Sequence, residues 1–183
     1  MLYGSWSWVP GGSSQQLLPQ ALDTTGSADG RILVFNKQGD LWKADPDGGR
    51  QTLLVSADAY HPVVTPDGRS VIFLSSRTGQ QSPWIVSIDG GTPRQLLDVF
   101  VGSPGGDISP DGKLLLFPSR DTASLQATAL VCELPECGRP RSIPAFAGTR
   151  LRWTQDGRRI AYVEPVADET SGRSPSAVEH RLS

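Results

Sequence analysis

The chain has 183 residues, of which 37% are hydrophobic and 20% charged, and its formal net charge is −2. This composition is typical of a globular domain. It excludes a charge-rich disordered chain, and no apolar run approaches the ~18 residues of a membrane-spanning helix. Acidic and basic residues are nearly equal in number and form no basic stripe, so nucleic acid is not an expected partner. The segment before Arg31 contains no lysine or arginine, and it has no apolar stretch of the length that an export signal needs.

Four Asp-Gly pairs that are followed directly by a basic residue divide the chain at nearly even intervals of 38, 44 and 45 residues. Each aspartate has a serine or threonine two residues before it, a basic residue two after it and an aromatic ring six after it. The four aspartates are Asp29, Asp67, Asp111 and Asp156, and the four rings are Phe35, Phe73, Phe117 and Tyr162. This fourfold alignment indicates an internal structural repeat.

The Asp-Gly pairs predict hairpin turns. The clearest is Ser109-Pro110-Asp111-Gly112, which suits a type I turn. A short apolar run follows each pair, as expected for strands that are covered on both faces. A second turn marker, Gly11-Gly12, Gly48-Gly49, Gly90-Gly91 or the degraded Cys137-Gly138, alternates with the first. One period therefore holds four short strands and two tight turns.

A four-stranded antiparallel unit of this length predicts a β-propeller blade. Helical repeats are excluded because no period has the i, i+3, i+4, i+7 pattern of an amphipathic helix. A β-sandwich is the alternative fold, but its strands need not repeat in sequence.

The repeat resembles the WD-repeat-like propellers of the TolB type. Their blades carry a Ser-Pro-Asp-Gly-Lys/Arg turn, an apolar strand ending in Phe, and an Asp-Gly-Gly turn before a Leu-rich strand. The stretch from Thr65 to Leu97 matches best. The resemblance implies the fold and a periplasmic setting. It leaves the activity open, because similar blades occur in TolB itself, in the propellers of prolyl-oligopeptidase-like peptidases and in bacterial sensor regions.

The predicted organisation is a set of propeller repeats over residues 1–164 and a polar, flexible tail without a strand of this kind over 165–183. The repeats comprise a half blade, three blades and a second half blade, at 1–20, 21–56, 57–99, 100–146 and 147–164. This order of half blades and blades fits a four-bladed ring closed by both termini. It also fits a fragment of a six- to eight-bladed ring, and we favour the fragment. Open blade faces would allow self-association.

Binding is expected on the rim where the second strand of each blade leads to the third and the fourth strand leads to the next blade, because the loops there vary. Arg77 and Arg120 sit at similar positions in successive blades and could line an anionic site. Loop arginines or ties between blades are the competing interpretation. Asp107 alone does not make a cation site. The candidate binding residues are Tyr60, His61, Arg77, Asp107, Arg120 and Arg150.

The sequence contains no recognised catalytic motif and no metal or cofactor signature. We therefore expect a non-catalytic binding or sensing module with a protein partner or a small ligand at the loop rim. The alternative is an accessory propeller of a serine peptidase whose catalytic domain lies elsewhere.

Cys132 and Cys137 are placed to face each other across a turn. The sequence is compatible both with a disulfide and with two free thiols. A disulfide would favour the periplasm.

Overall fold

The computed structural model describes residues 4–7, 13–101, 106–120, 127–143, 149–163 and 177–181. Within these ranges the chain is all β, with 17 strands in five antiparallel sheets. The first sheet pairs β1 (Gly4–Ser7) with β2 (Gln15–Pro19).

Three four-stranded sheets follow, and each takes its strands in chain order. The first contains β3 (Leu22–Gly26), β4 (Leu33–Lys37), β5 (Asp40–Ala44) and β6 (Thr52–Val55). The second contains β7 (Tyr60–Val64), β8 (Ser70–Ser75), β9 (Ser82–Ser87) and β10 (Arg94–Gln95). The third contains β11 (Asp107–Ile108), β12 (Leu114–Arg120), β13 (Ala127–Glu133) and β14 (Arg141–Ile143).

The last sheet contains β15 (Thr149–Trp153), β16 (Arg159–Val163) and β17 (Ala177–Arg181). The prediction that the tail supplies no strand is wrong for β17, which pairs with β16 over five residues. The physical reason is that β16 is an apolar strand, and its open edge needs hydrogen-bond partners. The expected flexibility of residues 165–176 lies outside the described residues.

The Asp-Gly turns share one hydrogen-bond network, which explains the spacing in the sequence. In the third sheet, the Ser109 hydroxyl donates to Asp111 at 2.6 Å and accepts from the Leu114 amide at 2.9 Å. The Asp111 carboxylate also accepts from the Lys113 amide at 3.1 Å. The glycine, Gly112, adopts a φ of 74°, a conformation that favours glycine. The hydroxyl-to-carboxylate bond recurs at 2.6 Å in the other three turns.

The four repeated aromatic rings are confirmed at equivalent positions. Each lies on the second strand of its sheet, and all are at most 4% exposed. The rings are those of Phe35, Phe73, Phe117 and Tyr162. Because each repeat of the sequence carries the same turn and the same buried ring, each repeat forms a similar sheet.

Two compact units make up the chain. The first holds the sheets of β1 to β10 apart from Ser82, and the second holds β11 to β17. In the first unit, Val34 and Leu41 of β4 and β5 pack with Val71, Phe73 and Trp84 of the next sheet. In the second unit, the core between the sheets of β12 and β16 contains Leu116, Val131, Leu151, Trp153, Ile160 and Tyr162. Each sheet thus buries a face against its neighbour within the unit, as propeller blades do.

Candidate functional site

The first strands of the sheets carry a repeated bulge on the rim that was predicted to bind. The register shifts between Leu22 and Thr25 in β3, and between Tyr60 and Val63 in β7. Asp23 and His61 lie inside these bulges with φ values of 46° and 49°. Non-glycine residues rarely adopt positive φ, and bulges are used in sheets to redirect a side chain.

The bulges bring Asp23 and His61 together. His61 Nδ1 lies 3.2 Å from Asp23 Oδ2, and the two side chains are 24% and 39% exposed. His61 makes further contacts as well. His61 was a predicted binding residue but Asp23 was not, because no signal in the sequence indicates that these two side chains meet.

An exposed tyrosine stands beside this pair. Tyr60 is 36% exposed, and Leu22, at the same position of the preceding repeat, is 42% exposed. A Cβ atom at Gly39 would lie 3.3 Å from the Tyr60 hydroxyl oxygen and 3.8 Å from the Asp58 amide nitrogen. The turn between β4 and β5 therefore touches the start of β7, and Gly39 leaves room for the tyrosine.

Arg77 is fixed in the loop after β8. Its Nε donates to Ser75 Oγ at 2.8 Å, and its Nη2 donates to the Ala57 carbonyl oxygen at 3.0 Å. Its guanidinium carbon also lies 5.6 Å from the centroid of the Phe73 ring and 5.0 Å from that of Trp84, within the range of cation–π attraction. Arg77 therefore ties the loop after β8 to the segment that enters β7.

The carboxylates of Asp58 and Asp40 accept hydrogen bonds from groups of the neighbouring loops. Asp58 Oδ2 accepts from the Ser75 hydroxyl at 3.0 Å and from the Ser76 amide. Asp40 Oδ1 accepts from the Ala57 amide at 2.7 Å. These bonds hold the loops of the rim in place. We call the group of Gly39, Asp58, Tyr60, Ser76 and Arg77 the Tyr60 patch.

The second unit holds the remaining predicted residues. Asp107 is half-buried, and its Oδ2 accepts from the Trp153 amide at 2.7 Å. Burial raises the pKa of its carboxyl group, partly offset by this hydrogen bond and by the charge of Arg152. These contacts give Asp107 a role in joining β11 to β15. Arg120 and Arg150 lie in β12 and β15, but their side chains fall outside the described part of the structure.

Cys132 and Cys137 form a disulfide across the turn between β13 and β14, with their Cα atoms 4.9 Å apart. Both are almost completely buried. Of the two states that the sequence left open, a disulfide or two free thiols, the structure shows the disulfide.

A hollow of about 660 Å³ lies beside the same turn, lined by Cys132, Leu134 and four charged residues: Glu133, Glu136, Arg139 and Arg141. The sequence analysis missed this hollow, because its only signal was a turn without the Asp-Gly-Gly pattern.

Among the described residues, no group of three or more His, Cys, Asp or Glu side chains could hold a metal ion. That part of the chain also contains no helix long and apolar enough to cross a membrane.

Comparison with known proteins identifies relatives of this architecture. An uncharacterized protein from Agrobacterium fabrum is 29% identical over 153 residues, which are 75% of this chain and 52% of that protein. Tricorn protease homolog 1 from Streptomyces coelicolor is 32% identical over 103 residues, 53% of this chain and 9% of that protein. The chain thus spans about half of the first relative and a small part of the second. No protein-family model matches it.

The crystal structure of TolB from Acinetobacter baumannii superposes with a TM-score of 0.74 at 16% identity, covering 92% of this chain and 43% of TolB. The chain has a β-propeller fold of the TolB-like kind, and it corresponds to part of larger propellers. The resemblance seen in the sequence is confirmed at the level of the fold. Its blades resemble those of TolB and of tricorn-type proteases.

Proposed function

We propose that this propeller domain is a non-catalytic binding or sensing module whose protein partner or ligand contacts the Tyr60 patch. The observation that carries the proposal is an exposed tyrosine on a rim whose loops are fixed by hydrogen bonds. Tyr60 is 36% exposed and touches the turn at Gly39. Tyrosine on a rigid scaffold offers a large amphipathic surface at a small entropic cost, and it is enriched at binding interfaces.

The charges around Tyr60 support binding more than catalysis. The Asp58 carboxylate accepts hydrogen bonds from Ser75 and Ser76, and Arg77 is held by neutral oxygens and aromatic rings. A hydrolase site would need a nucleophile, a base and an oxyanion donor around one vacant position. The contacts of the patch support recognition of a polar group.

The second candidate function is an accessory propeller of a peptidase. The similarity to Tricorn protease homolog 1 favours it. In that case the catalytic residues belong to another domain, and the propeller itself still binds or filters polypeptide. The disulfide between Cys132 and Cys137 supports action in an oxidising compartment for either candidate.

Site-specific photo-crosslinking tests the proposal. A benzophenone amino acid placed at Tyr60 should capture a partner in cells of the source organism, whereas the same group at Arg31, on the opposite rim, should not. Equal capture from both positions, or capture from Arg31 alone, would reject the Tyr60 patch as the binding surface. In parallel, peptide hydrolysis by the purified chain would show that the domain is itself catalytic and would overturn the proposal.

A further inference from the structure

Arg77 differs from an ordinary surface arginine because its position is fixed by neutral groups. Ser75 Oγ and the Ala57 carbonyl oxygen accept two of its N–H groups, and the rings of Phe73 and Trp84 lie below it. A guanidinium has five N–H donors. Those that remain, on Nη1 and Nη2, have no acceptor among the described residues, and the arginine is exposed.

The neighbouring carboxylates do not neutralise Arg77. Asp58 Oδ2 is engaged by Ser75 and Ser76, and Asp40 Oδ1 by the Ala57 amide. In the described structure no carboxylate lies within ion-pair distance of Arg77. A fixed guanidinium with free donors binds planar anions well, since little side-chain entropy is lost and two parallel hydrogen bonds can form.

We infer that Arg77 binds a carboxylate of the ligand or partner, a conclusion that rests on the proposed function and names the chemistry recognised there. The carboxylate would accept hydrogen bonds from the remaining N–H groups at the outer edge of the guanidinium. A carboxylate matches the fork of donors on the guanidinium, because its two oxygens can accept two parallel hydrogen bonds. The carboxylate comes from a peptide, either from its C-terminus or from an Asp or Glu side chain.

Three short peptides of serine and glycine distinguish these sources. One has a free C-terminal carboxylate, the second is amidated, and the third is amidated and carries a central glutamate. The readout is the NMR signal of the Arg77 Nε–H group during titration of the full chain. At least one carboxylate peptide should give a saturable shift below about 10 mM, whereas the neutral amidated peptide should not.

Two variants test the role of the guanidinium. Arg77→Lys keeps the charge but loses the fork of donors, and it should weaken binding of the carboxylate peptide about tenfold. For this comparison, binding is followed by the backbone amide signals of the patch. Arg31→Lys, a matched change at an exposed arginine of the opposite rim, should leave the affinity unchanged. Arg77→Met should abolish binding, and if it fails to fold, the lysine variant carries the test alone.

The inference is overturned if no carboxylate peptide binds, if the neutral peptide binds equally well, or if Arg77→Lys and Arg31→Lys have the same effect. A purely structural role predicts a lower melting temperature for Arg77→Lys without loss of affinity. Photo-crosslinking from position 60 keeps the two proposals apart. A partner that is still captured by the Arg77→Lys variant, with unchanged affinity, would leave the binding function standing and reject carboxylate recognition.

Discussion

His61 Nδ1 lies 3.2 Å from Asp23 Oδ2, and the two residues occupy the same position of successive repeats. Each precedes the hydroxyl residue of its Asp-Gly turn, Ser27 or Thr65, by four residues. Each also adopts a left-handed backbone conformation. Equivalent positions of neighbouring first strands therefore meet in the first unit. A single position of the repeat can thus build a site from two blades.

The buried rings should contribute most to stability. Phe73→Ala should lower the free energy of unfolding by about 3–5 kcal/mol, because the ring is fully buried and leaves a cavity. Phe100→Ala, the same change at a ring that is 39% exposed, should cost less than about 1 kcal/mol. Urea unfolding of both variants measures the difference. Similar losses at the two positions would contradict the burial of the Phe73 ring in the core.

The turn aspartates should make the fold sensitive to acid. Hydrogen bonds from Ser109 and from the Lys113 amide hold the pKa of Asp111 below its ordinary value of 3.8, and the other three turn aspartates are held down in the same way. A lowered pKa in the folded state stabilises the fold above pH 3.8, and this contribution is lost as the pH falls through the folded pKa. Stability should therefore fall as the pH drops from about 4 through the lowered pKa values of these carboxyl groups.

Two amide substitutions should change this acid response in opposite directions. Asp111→Asn keeps an acceptor oxygen but loses the charge, so it should reduce the loss of stability on acidification. The pKa of Asp107 is raised, mainly by burial, so its carboxyl group favours the folded state at low pH. Asp107→Asn should therefore make the loss of stability on acidification steeper. Urea midpoints across this pH range measure both effects, and changes of the same sign would refute the assignment.

Gly106 should be intolerant of a side chain. A Cβ atom there would overlap the Leu116 carbonyl oxygen and lie 3.1 Å from the Phe117 Cβ. Gly106→Ala should cost about 1–3 kcal/mol, because backbone cannot move as easily as a flexible side chain. Gly138→Ala is the matched control, since no heavy atom lies within 4 Å of its Cβ position. Thermal unfolding compares the two, and equal melting temperatures would count against the observed packing of β11 on β12.

The disulfide should give a modest stabilisation. Cys132 and Cys137 are five residues apart, so their bond closes a short loop. Because the bond lowers the entropy of the unfolded chain, it should raise the free energy of unfolding by about 2 kcal/mol. The Cys132→Ala/Cys137→Ala double variant should show a loss of this size in urea unfolding. Thiol titration of the wild type in denaturant should find no free thiol without a reductant. Two reactive thiols in protein purified from an oxidising compartment would contradict the bond.

The repeat could be predicted from the sequence because turn chemistry is local. Ser109, Asp111 and Gly112 act within a few residues of one another, so their spacing specifies both the turn and the strands beside it. The third strand of the last sheet could not be predicted. β17 has little apolar character of its own, and it is placed by the edge that β16 offers across a long stretch of sequence.

The site was partly predictable for the same reason. Tyr60 and His61, at the start of β7, and Arg77, in the loop after β8, lie on the rim that the repeat pattern indicates. Their partners Asp23, Gly39 and Ala57 belong to the preceding repeat or to the connection after it, and only tertiary contact brings them close. The same limit applies to Asp107: its bond to the Trp153 amide joins residues 46 apart in sequence, so this contact could not be predicted.

The bulge in the first strands has a consequence for how such domains diversify. The register shifts at the same repeat position in β3, β7 and β15, where the chain carries Asp23, His61 and Arg150. A residue in a bulge is released from the pairing of the sheet, so the scaffold accepts an acid, an imidazole or a guanidinium there. Selection can therefore rewrite the chemistry at this point, one blade at a time, while the turns and rings that specify folding stay unchanged.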